Sequence, residues 1–193
     1  MSRLHLSLLC FPALITAACE QPSEYEAMLA RETARPDTVR TLFFNYELGM
    51  SRQAFYDSSW ALNRQELVTH GPSNMNVQYK LTDQLPYEAT MLYYPDFKDD
   101  QVVQMRIRIS YDAWAPWNRH LWSDSLIFDV RDLMEVWYGE GFLTQQVSLP
   151  LIGPTSGFVK IDANRQITIH RSSDSEVLVK ITDLRALPPR DNE

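Results

Sequence analysis

Over residues 103–109 every second side chain is large and apolar. Val103, Met105, Ile107 and Ile109 alternate with Gln104, Arg106 and Arg108. A period of two sorts side chains onto the two faces of a pleated strand, and a helix cannot sort them that way. One face of a sheet must therefore be covered by another part of the chain. Val77, Tyr79 and Leu81 repeat the pattern against Gln78, Lys80 and Thr82. An apolar run over 87–94 reads as the strand between these two, and 95–100 as the turn that follows it. Segments 142–149, 157–163, 166–171 and 176–182 read as a second set of strands. Asn164 and Arg165 stand at a tight hairpin within that set.

The covering elements show the helical period. Leu126, Val130, Leu133 and Trp137 fall at spacings of four, three and four, with Ile127 and Met134 beside them. This helix opens at Ser123 or Asp124, and Gly139 and Gly141 end it. Ser51 caps a shorter helix running to about Asn63, with Phe55, Ser59 and Leu62 inward. Single helices followed by runs of strands, twice over, give an α+β fold with an antiparallel sheet and helices packed on one face. The domain spans 41–187, with candidate halves 41–110 and 120–187, and 188–193 form a loose tail. Residues 19–40 are read as a tether. Within it Ser23 and Glu26 fit a capping box, and Tyr25, Met28 and Leu29 either dock on the domain or ride on a mobile spacer.

The N-terminus has the parts of a secretory signal: Arg3, an apolar run over 4–15, then small Thr16, Ala17 and Ala18 before Cys19. The run is too short to span a bilayer, which takes about 20 apolar residues. A signal peptide ending at 18 and cut after Ala18 is one reading. The stretch Ile15-Thr16-Ala17-Ala18-Cys19 also resembles the lipobox of bacterial lipoproteins, although Thr16 stands where that family usually has Leu. The resemblance implies lipidation of Cys19 and a membrane partner reached through the lipid anchor. In enterobacterial lipoproteins Asp after the cysteine favours the inner membrane, so the resemblance, with Glu20 there, implies the outer membrane. The other cysteine, Cys10, lies inside the signal. The folded part then has no thiol for a disulfide, a zinc site or a nucleophile.

An apolar run over 41–48, then Gly49-Met50-Ser51 opening a short helix, resembles the small outer-membrane lipoproteins of the barrel-assembly BamE/SmpA group and their beta-lactamase-inhibitor-like relatives. The likeness covers about twenty residues. Leu62-Asn63-Arg64-Gln65 stands where that group has Leu-Gly-x-Pro. It implies a binding role for a protein partner in the envelope and carries over no functional residue.

The formal charge is −7, with 18 basic and 25 acidic residues. So acidic a chain is poorly suited to nucleic acid, which is held by clustered cations. His70, His120 and His170 lie fifty residues apart without metal-ligand spacing, and no nucleophile–base pair can be named. A non-enzymatic role with no cofactor and no metal is therefore expected. Two surfaces stand out. Lys80, Arg106 and Arg108 share the wet side of the first strand set, and Lys160, His170 and Lys180 are assigned to the wet side of the second. Together they make a cationic stripe for partner binding, unless Glu88 and Glu176 neutralise it. Trp114, Trp117, Asn118, Arg119 and Trp122 have the chemistry of a glycan patch, or else their rings plug the junction between the halves. Asp129, Asp132 and Glu135 read as a solvated helix face.

Overall fold

The computed structural model describes residues 21–72, 75–149 and 153–187. The signal segment, Cys19 and the 188–193 tail lie outside the described residues. The helices are α1 (Glu24–Thr33), α2 (Arg52–Arg64) and α3 (Ser123–Tyr138). The strands are β1 (Thr69–His70), β2 (Val77–Leu81), β3 (Ala89–Lys98), β4 (Gln101–Tyr111), β5 (Leu143–Leu149), β6 (Gly153–Asp162), β7 (Arg165–Arg171) and β8 (Val177–Asp183). They form one eight-stranded antiparallel sheet in the order β1-β2-β3-β4-β8-β7-β6-β5. The fold is α+β. Each set of four strands is a meander, and the two meanders meet at their last strands, β4 and β8.

The core lies on the face that carries the alternating apolar residues. Met91, Tyr93, Met105, Ile107, Ile109, Ile167, Val179 and Ile181 are buried there under Leu126, Val130, Leu133 and Met134 of α3. The start of α3 is fixed by Ser123, whose N–H donates to the Asp174 carbonyl at 2.8 Å and whose hydroxyl donates to the Ser173 carbonyl at 2.6 Å. Ser51 caps α2 by accepting from the Ala54 N–H at 3.2 Å, and Phe55 and Leu62 are its buried residues.

The β3 strand runs through Pro95 to Lys98, where the sequence reading has a turn. The register explains why. β2 pairs with β3 only as far as Val77 opposite Tyr93, so from 94 onward β3 is an edge, and the N–H that Pro95 lacks is not missed there. The turn itself is Asp99-Asp100, both at positive φ. The later hairpin turn is Ala163-Asn164, one residue earlier than expected, and Arg165 begins β7. The apolar run at 41–48 forms no strand. It bends at Phe44 (φ 51°) and inserts Phe43, Tyr46 and Leu48 into the core.

The α1 helix docks. Its capping box forms, with the Ser23 N–H donating to Glu26 at 2.8 Å and the Glu26 N–H donating to the Ser23 hydroxyl at 3.2 Å. Met28, Tyr25 and Leu29 pack with Val159, Ile161 and Leu184, on the sheet face opposite α3. Glu32 is nearly buried between Arg31 and Arg35 and accepts the Ala163 N–H. The Arg35 hydrogen bond holds its carboxyl below the usual range, against the opposing effect of burial.

Candidate functional site

The face opposite α3 is read row by row from the register, with α2 reaching its margin where Tyr56 and Tyr94 hydrogen-bond through their hydroxyls at 2.7 Å. Tyr94, Arg106, Lys180 and Thr168 lie directly opposite one another across β3, β4, β8 and β7. The next row is Leu92, Arg108, Leu178 and His170, and the row on the other side is Asp96, Gln104, Thr182 and Gln166. Arg106 and Arg108 thus share a face, as their spacing requires. Toward β6 the same face is closed by α1, where the Tyr25 hydroxyl donates to Gln166 at 3.2 Å.

The cations differ in how they are answered. Arg106 Nε donates to Asp96 at 2.8 Å, an oxygen that Gln104 also holds at 2.5 Å. Arg108 approaches Glu176 only to 3.9 Å, and Glu176 is engaged by the Ser172 hydroxyl at 2.8 Å. Glu88 answers none of them among the described ion pairs. Lys80 is closed off, donating to Asp112 at 2.7 Å and to Thr90 at 2.8 Å. Burial opposes charge on Asp112, but these hydrogen bonds outweigh it and keep its carboxyl low. Lys180 has no carboxylate partner among the described residues, and it stands opposite Arg106. His170, one row away, is held largely neutral, its pKa pushed down to about 4 first by burial and then by the Lys180 charge.

Lys160 does not belong to this stripe. It lies on the core face, 8% exposed, and donates to the Tyr138 and Gly139 carbonyls at 2.6 and 2.8 Å. The final carbonyls of α3 lack intrahelical partners and carry the negative end of the helix dipole, so an ammonium there is well placed. Asp129 is more than a solvated carboxylate, since it accepts the buried Tyr111 hydroxyl at 2.5 Å.

The Trp-rich stretch connects β4 to α3 through a 3-10 turn at Arg119–Leu121. Trp114 and Trp122 are half-buried with ring centres 6.4 Å apart. Arg119 lies over the Trp122 ring at 3.9 Å, on a surface a sugar would use, and Asn118 donates to the Ala113 carbonyl at 3.3 Å. Trp117 is 81% exposed.

A second concavity escaped the sequence reading. Tyr56, Trp60, Asn63, Thr69, His70 and Tyr94 line a cleft of about 230 Å³ between α2 and the β1 edge. Tyr56 and Trp60, one helical turn apart and both exposed, were the available signal. Among the described residues no three His, Cys, Asp or Glu side chains cluster as a metal site, and no helix is long and apolar enough to cross a membrane. Compared with protein-family models, curated proteins and solved structures, the chain finds no match.

Proposed function

We propose that the chain is a lipid-anchored envelope protein with a non-enzymatic role, which holds an acidic segment of a protein partner on its open sheet face. The observation that carries this reading is Lys180 opposite Arg106. Like charges directly opposite on a sheet cost stability. Asp96 already answers Arg106, so Lys180 is the member left for an arriving anion among the described residues. The flanking Leu92 and Leu178 add apolar area to a cationic centre, which suits acidic peptide more than free phosphate. In a protein of net charge −7, this patch also orients an approaching acidic partner.

The anchor rests on the small residues before Cys19 and is tested separately. Cys19→Ser should move the protein from membrane to soluble fractions, and absence of labelled palmitate from the wild type would remove the anchor. Capture is tested with an octaglutamate peptide and by co-purification from crosslinked envelopes. Arg106→Glu with Lys180→Glu should abolish both, most clearly at low salt, with folding kept. Equal capture by wild type and double variant ends the reading. A second reading, glycan binding, is favoured only by the exposure of Trp117. A glycan array that wild type binds and Trp117→Ala does not would support it.

A further inference from the structure

We propose that a second copy of this chain pairs antiparallel with the outer edge of β5, joining the two sheets across a two-fold axis. Edge strands offer a row of unpaired N–H and C=O groups, and proteins normally blunt them with charge, proline or short length. The sheet does this at one end only. There β1 is two residues long, and the stretch of β2 beyond it presents Lys80. At the other end β5 runs seven residues, Leu-Thr-Gln-Gln-Val-Ser-Leu, with no charge, proline or glycine. Among the described residues no strand covers its outer side.

The occupant follows from the asymmetry of the two edges. Head-to-tail addition of β5 to β1 would build an open fibre, but β1 is too short to serve. Pairing of β5 with itself closes after one contact. The one two-fold register that uses all seven residues centres on Gln146 and sets Leu143 against Leu149 and Thr144 against Ser148. No like charges meet, although the chain is acidic overall. In an antiparallel pair, opposed residues point to the same side. The α1 helices of both copies therefore lie on one face of the joined sheet. That arrangement suits two copies held by the N-terminal anchors of the proposed function, on which this point rests.

Gln146 is exposed and bonds only to Ser156, at 3.1 Å, among the described contacts. At the dyad of an antiparallel pair its Cα lies about 4.5–5.5 Å from its mate, within disulfide reach. The full chain carrying Gln146→Cys, purified in detergent, should form a covalent dimer under mild oxidation. Wild type and Gln53→Cys, on the exposed side of α2, should not. Gln146→Lys and Gln146→Glu should each raise the dimer Kd several-fold at low salt, and a mixture of the two should associate at least as tightly as wild type. That rescue separates charge at the dyad from a folding defect and from chance pairing in a micelle. The proposal is overturned if wild type sediments as a monomer at high micromolar concentration. A dimer indifferent to both charge variants overturns it too, as does a monomer whose β5 edge instead takes up an extended peptide.

Discussion

Ile107 and Arg106 are neighbours in the chain and lie on opposite faces of β4. Ile107 is fully buried beneath α3, whereas Arg106 looks out from the opposite face of the sheet. Lys160 and Lys180 make the same contrast in charge. The first is buried and its ammonium is held by two helix-terminal carbonyls. The second stands beside another cation, with no acid to answer it among the described residues. One face is arranged for stability throughout. The other keeps Lys180 opposite Arg106, the observation on which the proposed capture of an acidic partner rests.

Six changes sharpen or break that contrast. Ile107→Ala should cost about 2–5 kcal/mol in a urea titration, as for other buried aliphatic residues. Arg106→Ala on the same strand should stay within about 0.5 kcal/mol. Similar losses from both would mean that the open face is structural after all. Lys160→Met removes a charged donor from two carbonyls and should cost about 1–3 kcal/mol. Lys180→Glu turns a like pair into an opposite one and should gain about 0.2–1 kcal/mol while losing capture of acidic peptide. A loss of stability at Lys180→Glu would remove the argument from the face. His170 supplies a pH axis. The unfolded chain protonates it near 6.5 and the folded site only near about 4, so between these values the unfolded state binds more protons and stability falls as pH falls. His170→Gln should flatten the melting temperature across that window, and an unchanged slope would trace it to other groups. The smallest effect is expected at Trp117→Ala, within about 0.5 kcal/mol. A larger loss would mean that the ring packs against the fold.

Much of the architecture could be read from periodicity. The alternation in β4 and the spacing in α3 gave both elements, and Gly139 closes α3 at positive φ as its place suggests. Burial on one side leaves a repeating trace in the chain, and these segments carry it. What failed were features set by distant neighbours. Pro95 looks like a turn until the end of β2 is known to leave β3 without a partner. Lys160 looks solvent-facing because lysine usually is, and only its approach to the end of α3 makes a buried ammonium tolerable. The shared face of Arg106 and Arg108 was legible. The opposition of Arg106 and Lys180 was not, because pairing between β4 and β8 depends on how two meanders join. The cleft beside Trp60 depends likewise on the return of β1 to the edge.

The strand order also governs how the chain comes together in time. Each meander can zip from local hairpins, but the sheet closes only when β8 reaches β4, placing Thr182 opposite Gln104. The last of the described strands is thus a central one, and a chain truncated before Val177 loses the middle of its sheet rather than a border. Long-range pairings of this kind form late and slowly compared with helices and hairpins. Until Val177–Asp183 is in place, the two halves of the sheet stay unjoined.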